Sequence, residues 1–293
     1  MIHIHILAIL IVAVWGTTFV STKHLIMAGL GVEEIFLIRF VIAYVCIWAY
    51  SIARGRSPHV WSRSVTDELL FVALGVTGGS LYFVTENMAI GQTHVSNVSF
   101  IVCTAPLLTV LIAKALNRSM RVGRRLAAGS VIALAGVGLV VFNGQYVLRL
   151  SPVGDLLALA AATCWATYSL IIRHVSGRYG AVFVTRKVFA YGIATILPFM
   201  AMGGGLNADL TILARPVVWG NLLFLSLVAS FACFVLWSWC IQKIGVIATS
   251  NYVYLNPITT LVASAIALDE PMTWLSALGS ALILGGVYMA NKK

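Results

Sequence analysis

The sequence predicts an all-α integral membrane protein with ten transmembrane helices, arranged as two inverted five-helix repeats. Composition is the first observation, because apolar residues make up 60% of the 293-residue chain and charged residues only 10%, whereas a soluble domain carries roughly a quarter of charged residues. The second observation is a series of long apolar runs, and the third is an internal duplication of the chain.

The apolar runs give the predicted spans, since a helix of about 20 apolar residues crosses a hydrocarbon layer about 30 Å thick. All five cysteines fall inside these runs, without the paired spacing of a zinc site or a disulfide framework, and are expected to be small packing residues. The predicted limits are residues 4–27, 34–53, 69–90, 95–115, 124–142, 153–173, 181–202, 217–241, 247–268 and 273–291.

The duplication is clearest in the fourth and ninth predicted spans. Residues 95–106 recur 151 positions later, and the identities step by three and four residues along one helix face. We predict a first five-helix repeat over residues 1–143, a linker over 144–152 and a second repeat over 153–293. The matched pairs are Val95 and Val246, Ser99 and Ser250, Pro106 and Pro257, Trp15 and Trp165, Thr17 and Thr167, Arg39 and Arg186, Leu74 and Leu225, Gly129 and Gly279, and Gly136 and Gly286.

The odd number of spans in each repeat predicts that the second copy is inverted, because it must enter the membrane from the opposite side. Loop charge agrees: four arginines follow the fourth span, whereas Asp269 and Glu270 follow the ninth. Fifteen of the 19 basic residues then lie on the side of the N-terminus. The positive-inside rule therefore accounts for the net charge of +10 without a nucleic-acid partner and predicts that both termini are cytoplasmic.

Several motifs together resemble a known family. They are Trp-Gly-Thr-Thr-Phe at residues 15–19, Arg39 opening the second span, Pro106 in mid-span, Leu-Asp-Glu-Pro at residues 268–271, and Gly279 followed by Gly286. Their order and duplication resemble the EamA family of the drug/metabolite transporter superfamily over essentially the whole chain. The first copy departs from the pattern at residues 117–120, where Asn-Arg-Ser-Met replaces the acidic loop.

The resemblance implies a ten-helix carrier of the bacterial inner membrane that exports small metabolites, often amino acids. It also implies a central cavity lined mainly by the first, third, fourth, sixth, eighth and ninth helices. No cofactor is expected, and the expected partners are a small-molecule metabolite and the lipid bilayer.

Ionisable residues inside spans need a partner or a wet cavity. Glu86 near the end of the third span is a candidate to bind a substrate amine or to exchange a proton; alternatively it forms a structural ion pair with Arg39. Arg39 and Arg186 either tie helix ends together or gate the two entrances in turn.

Pro106 and Pro257 are predicted to kink the fourth and ninth spans, because proline removes one internal hydrogen bond and frees a carbonyl group. Polar side chains on the same spans are candidates for substrate binding, and aromatic side chains are candidates for the walls of the site, although helix packing or interface anchoring would also account for any single tryptophan. The candidate substrate-binding residues are Trp15, Thr17, Glu86, Asn97, Trp165, Tyr168, Trp237, Asn251, Tyr254 and Asn256.

The pairs Gly75 and Gly79, and Ser226 and Ser230, have the small-xxx-small spacing of close helix contacts. They fit either internal packing or a dimer face, so a monomer and a homodimer both remain open.

The sequence has no motif of a metalloprotease, a serine hydrolase or a phosphate-binding loop. We therefore expect a secondary transporter working by alternating access, most simply an amino-acid or metabolite exporter that is proton-coupled through Glu86, and not an enzyme. The alternatives are a facilitative uniporter or exchanger of metabolites or nucleosides, and a channel.

Overall fold

A computed structural model describes residues 2–54, 59–92, 95–119, 121–142, 151–202, 210–268 and 272–292. The described chain is built from helices and the turns between them. Most of the predicted linker 144–152 lies outside the described residues.

The described residues form fourteen α-helices. They are α1 (Ile2–Met27), α2 (Val32–Ala53), α3 (Val65–Gly75), α4 (Leu81–Gln92), α5 (Val95–Val102), α6 (Ala105–Leu116), α7 (Arg124–Phe142), α8 (Pro152–Ser176), α9 (Ala181–Met202), α10 (Pro216–Leu223), α11 (Cys233–Ile244), α12 (Val246–Ser250), α13 (Asn256–Leu268) and α14 (Trp274–Asn291).

Within the described ranges, eight helices are long and apolar enough to cross a membrane, counting α3–α4 and α10–α11 as continuous helices. The fourth and ninth predicted spans are each interrupted instead. A turn at Cys103 and Thr104 separates α5 from α6, and a 3-10 segment, Asn251–Leu255, separates α12 from α13. Pro106 and Pro257 are the second residues of α6 and α13, where the missing N–H of proline costs no helical hydrogen bond.

The two continuous double helices each contain a π-helical segment. Val76–Ser80 joins α3 to α4, and Phe224–Ala232 joins α10 to α11. Gly79 has non-helical angles (φ −127°, ψ −108°), and a Cβ atom there would lie 3.2 Å from the Cα atom of Gly192 in α9. The π-helical turn at Gly79 therefore occurs where the backbone of α9 approaches closely. Gly75, Gly79, Ser226 and Ser230 are buried inside the bundle rather than on its surface.

Helices α7 and α14 pack backbone to backbone. A Cβ atom on Gly136 would lie 2.6 Å from the carbonyl oxygen of Gly279, and a Cβ atom on Gly129 would lie 2.6 Å from that of Gly286. Gly136 thus contacts the repeat mate of Gly129, and Gly129 contacts the repeat mate of Gly136.

Candidate functional site

Three of the predicted aromatic residues meet at the centre of the bundle, one from each of α1, α8 and α11. The ring centroids of Trp15 and Trp165 are 5.3 Å apart, and those of Trp15 and Trp237 are 4.9 Å apart. Tyr168, one turn after Trp165, adds a fourth ring at 5.2 Å from Trp165. We call these four residues the aromatic cluster.

The hydrogen-bond donors of the aromatic cluster fall into two kinds. The indole N–H of Trp15 donates to the carbonyl oxygen of Ala229 at 3.0 Å, within the second π-helical segment. The indole nitrogens of Trp165 and Trp237 and the hydroxyl of Tyr168 are buried without a hydrogen-bond partner among the described residues. Since buried polar groups are normally paired, these donors are available to a ligand.

Glu86 lies beside the aromatic cluster and is buried, with 7% of its surface exposed. The hydroxyl of Tyr82 donates to its Oε1 atom at 2.8 Å, and the ring of Tyr82 lies 5.3 Å from that of Trp165. The carboxylate is thus one side chain away from the unpaired donors.

Arg39 does not form the ion pair with Glu86 that was one of the two expectations for this carboxylate. Its Nε atom donates to the hydroxyl of Ser230, and its guanidinium lies 4.9 Å from the centroid of the Phe83 ring. The salt bridges of the described residues do not include one between Arg39 and Glu86. Among the described residues, Glu86 therefore has the Tyr82 hydroxyl as a partner and no ion pair.

Arg186, the repeat mate of Arg39, lies toward the end of the bundle where α9 begins. It donates to the backbone carbonyl of His59, and its guanidinium lies 4.6 Å from the centroid of Trp48 and 5.2 Å from that of Phe183. These contacts tie α9 to the chain between α2 and α3.

The remaining predicted site residues do not join the aromatic cluster through hydrogen bonds. The hydroxyl of Thr17 donates to the carbonyl of Val14 in its own helix at 2.7 Å. The amide of Asn251 donates to Asn291 of α14 at 2.8 Å, and Asn256 is half-buried with an unpaired Oδ1 atom.

Tyr254 is fully buried and faces Ser130 of α7. Together with the contact from Asn251 to α14, this directs two polar residues of the ninth predicted span toward the α7–α14 pair. The side chain of Asn97 lies outside the described residues.

A second group of charged residues was missed by the sequence reasoning. Glu68 accepts hydrogen bonds from Lys187 and Tyr191, and the carboxylate of Asp67 contacts Arg178 and the hydroxyl of Tyr179, each at 2.7 Å. We call these six residues the ionic cluster. The signal in the sequence is Lys187, a cation inside an apolar run, for which a carboxylate partner is expected.

Tyr179 lies in the turn before α9, where it accepts a hydrogen bond from the N–H of Arg63 at 2.8 Å. Partial burial raises the pKa of Tyr179, and its hydrogen bond to Asp67 acts in the same direction. Its hydroxyl therefore stays protonated and holds the start of α9 against α3.

Among the residues that the structure describes, no group of three or more histidine, cysteine, aspartate or glutamate side chains is arranged to hold a metal ion. The candidate site is thus built from aromatic rings, unpaired donors and one carboxylate.

Comparisons with known proteins agree with one another. The model of the EamA-like transporter family matches residues 3–142 and again residues 152–292. An uncharacterised transporter of Archaeoglobus fulgidus is 24% identical over 99% of this chain and 97% of its own length.

Two further relatives have names that state a substrate. A probable terminal-alkyne amino-acid exporter of Streptantibioticus cattleyicolor is 28% identical, covering 97% of this chain and 92% of its own length. A probable amino-acid metabolite efflux pump of Escherichia coli is 26% identical, covering 97% and 93%.

A solved crystal structure shares the fold, with a TM-score of 0.78 at 19% identity over 98% of both chains. The two family matches span nearly all of the sequence and include the helices that are apolar enough to cross a membrane. The chain belongs to the EamA-like transporter family of multi-pass membrane proteins.

Proposed function

We propose that this chain is a secondary transporter that exports amino acids or closely related metabolites across the bacterial inner membrane by alternating access. The proposal includes ten transmembrane helices in two inverted repeats, over residues 1–143 and 153–293. Both termini are placed in the cytoplasm, as the positive-inside rule favours.

The inverted arrangement is supported by contacts between repeat mates. Gly129 is the mate of Gly279 and Gly136 that of Gly286, yet Gly136 contacts Gly279 and Gly129 contacts Gly286. Two parallel copies would place each glycine beside its own mate. The crossed contacts instead fit two copies running in opposite directions about an axis in the membrane plane.

The contact between Trp15 and Trp165 supports the same axis. These mates touch at the centre of the bundle, and a contact between symmetry mates lies on the axis that relates them. The helix interruptions also recur, since π-helical segments lie in the third and eighth predicted spans and breaks lie in the fourth and ninth. The two separate matches of the family model divide the chain at the same place.

One observation carries the substrate proposal: a buried carboxylate and a set of unpaired buried donors lie on either side of Tyr82. Indole nitrogens donate and cannot accept, so Trp165 and Trp237 select an acceptor such as a carboxylate group. Glu86 selects a cation such as an ammonium group. An amino-acid zwitterion carries both groups a short distance apart, and its side chain would contact the aromatic rings.

Within this proposal, Glu86 exchanges the proton that couples export to the pH gradient. Burial without an ion-pair partner favours the neutral form of a carboxylate, whereas a bound ammonium favours the ionised form. Proton release on substrate binding would couple the export of substrate to the movement of protons. A facilitative uniporter or exchanger of metabolites or nucleosides shares the fold but needs no titrating carboxylate.

The test is transport by the purified protein in proteoliposomes. A thermal-shift screen against metabolites first identifies ligands, because a compound that binds the native state stabilises it. Radiolabelled hits are then loaded inside the vesicles. We expect saturable flux that is accelerated by unlabelled substrate on the opposite side, and loss of that acceleration when the amine is acetylated or the carboxylate is converted to an amide.

Non-saturating flux or ionic conductance would contradict a carrier and indicate a channel. Equal transport of the amino acid and of its acetylated derivative would contradict the role of Glu86 in recognising the amine. Saturable flux that ignores a pH gradient would favour the facilitative alternative.

A further inference from the structure

We propose that Glu68 and Lys187 form a latch that closes one end of the transport path and breaks when that end opens. This inference rests on the proposed alternating-access function and assigns residues to one of its gates. Glu68 lies in the first turn of α3, in the first repeat, and Lys187 lies in the second turn of α9, in the second repeat. A contact between them therefore joins the two halves.

The surroundings of Lys187 form a closed site for its ammonium group. The Nζ atom pairs with the carboxylate of Glu68 and lies 5.3 Å from the ring centroid of Trp61, 5.4 Å from that of Tyr191 and 5.9 Å from that of Phe183. The Lys187 side chain is only 7% exposed. Aromatic faces attract a cation, so the rings add to the pull of the carboxylate.

Glu68 accepts further hydrogen bonds besides its contact with Lys187. Its Oε1 atom also accepts the hydroxyl of Tyr191, and its Oε2 atom accepts the backbone N–H of Ser62 at 2.9 Å. The neighbouring Asp67 pairs with Arg178. Two adjacent carboxylates at the start of α3 thus reach one cation in the turn before α9, Arg178, and one in the second turn of α9, Lys187.

The positions that match Glu68 and Lys187 in the other copies carry no charge. In an inverted repeat, the contact of α3 with α9 at one end corresponds to the contact of α10 with α2 at the other. Counted from the matched residues, Trp219 stands in the place of Glu68, and Phe40 in the place of Lys187. An apolar cluster that includes neither of these two residues packs α1, α2 and the α10 region together: Leu25, Leu30, Ile35, Val218, Leu222, Leu225 and Ala229.

The difference between the ends indicates a reversible lock rather than ordinary packing. The matched positions in the second half form no ion pair, although Arg39 of α2 donates to Ser230 in the segment after α10. Burying an ion pair costs solvation energy that good geometry only partly offsets. Separated ions recover hydration when water enters, whereas separated apolar side chains do not. An ionic contact therefore holds the end closed while keeping the free-energy cost of opening low.

Accessibility of buried cysteines tests the latch without any substrate. Leu74 in α3 and its repeat mate Leu225 in the second half are both fully buried, so each reports the opening of one half. Each is replaced by cysteine, separately, in a chain whose five native cysteines are alanine. Labelling by a water-soluble maleimide is then followed in detergent, together with the melting temperature.

We expect Lys187→Met to speed labelling at position 74 about tenfold, because it leaves Glu68 without its buried partner. Labelling at position 225 should stay the same or slow down. Lys187→Arg, which keeps the charge, and the charge exchange Glu68→Lys with Lys187→Glu should both return the rate at position 74 toward that of the parent chain. Glu68→Gln provides the same test should Lys187→Met fail to fold.

An unchanged rate at position 74 would overturn the latch, and so would an equal rise at both positions, which indicates general loosening of the bundle. A fall in melting temperature that the charge exchange does not reverse would also assign the pair a purely structural role. Labelling requires no transport, so a chain that moves no amino acid can still show the latch. Amino-acid transport without the labelling shift would refute the latch alone.

Discussion

Gly136 of α7 and Gly279 of α14 are in backbone contact: a Cβ atom on Gly279 would lie 2.7 Å from the carbonyl oxygen of Gly136 and 2.8 Å from the Cβ atom of Leu139. Lipid tails are as apolar as the helices, so close packing of this kind has to replace the hydrophobic force that joins helices in water. The pair joins the last helix of each repeat.

Gly279→Ala is expected to destabilise the protein, because the added methyl group forces the two helices apart. Overpacking of this kind costs about 1–3 kcal/mol. Gly285→Ala is the matched control in the same helix, since nothing lies within 4 Å of a Cβ atom there. Thermal unfolding in detergent should show a lower melting temperature for the first variant alone, and equal values would contradict the contact.

Trp165→Phe is expected to weaken substrate binding with little change in stability, because it removes an indole N–H that has no hydrogen-bond partner among the described residues. Loss of one hydrogen bond corresponds to about a tenfold rise in Kd. Trp15→Phe is the contrasting variant, since its N–H already donates to Ala229, and its loss should lower the melting temperature. Binding measured by titration separates the two, and an unchanged Kd for Trp165→Phe would exclude the indole from recognition.

Glu86→Gln is expected to abolish uphill transport driven by a pH gradient. Glutamine keeps an acceptor for the Tyr82 hydroxyl but cannot exchange a proton, so the fold is retained while the coupling is lost. Glu33→Gln, in the first turn of α2, is the control and should transport normally. Accumulation of labelled substrate in proteoliposomes with an imposed pH gradient decides the matter, and full activity of Glu86→Gln would rule out this carboxylate as the coupling site.

Neutralisation of Arg39 and of Arg186 should impair opposite ends of the transport path if these mates gate the two entrances. Arg39→Met should chiefly disturb substrate exchange at the end where α2 begins, and Arg186→Met at the end where α9 begins. Ser230→Ala removes the hydrogen bond of Arg39 but keeps its charge, and separates the two contributions. Efflux and uptake measured in oriented vesicles provide the readout, and equal effects on both directions would favour a purely structural role.

Much of the architecture follows from local sequence properties. Long apolar runs require helices, since a membrane offers no partner for free backbone groups. Pro106 and Pro257 are the second residues of the helices that follow the two interruptions, a position that a missing N–H group allows. The π-helical segment Val76–Ser80 was not predicted, because it occurs where α9 approaches Gly79 closely.

The candidate site was also only partly predictable from the sequence. The sequence proposed four aromatic side chains as walls of one site, and their rings lie together in the structure: Trp15, Trp165, Tyr168 and Trp237. Asn251 instead donates to Asn291, a residue of α14 to which the sequence pattern assigned no role. Which polar residue faces which helix was decided by the rotation of the ninth predicted span about its own axis.

The sequence by itself determined the membrane class of this protein, the family to which it belongs and the duplication of its chain, because these depend on composition and on residue order. Only the tertiary structure decided the charge partners: Arg39 with Ser230 rather than Glu86, and Lys187 with Glu68 across 119 positions. The physical reason is that lipid-facing and helix-facing surfaces are almost equally apolar, so their pattern gives little information on how each helix is rotated. Rotation and tilt, fixed by the packing of all the helices together, place each buried charge beside its partner.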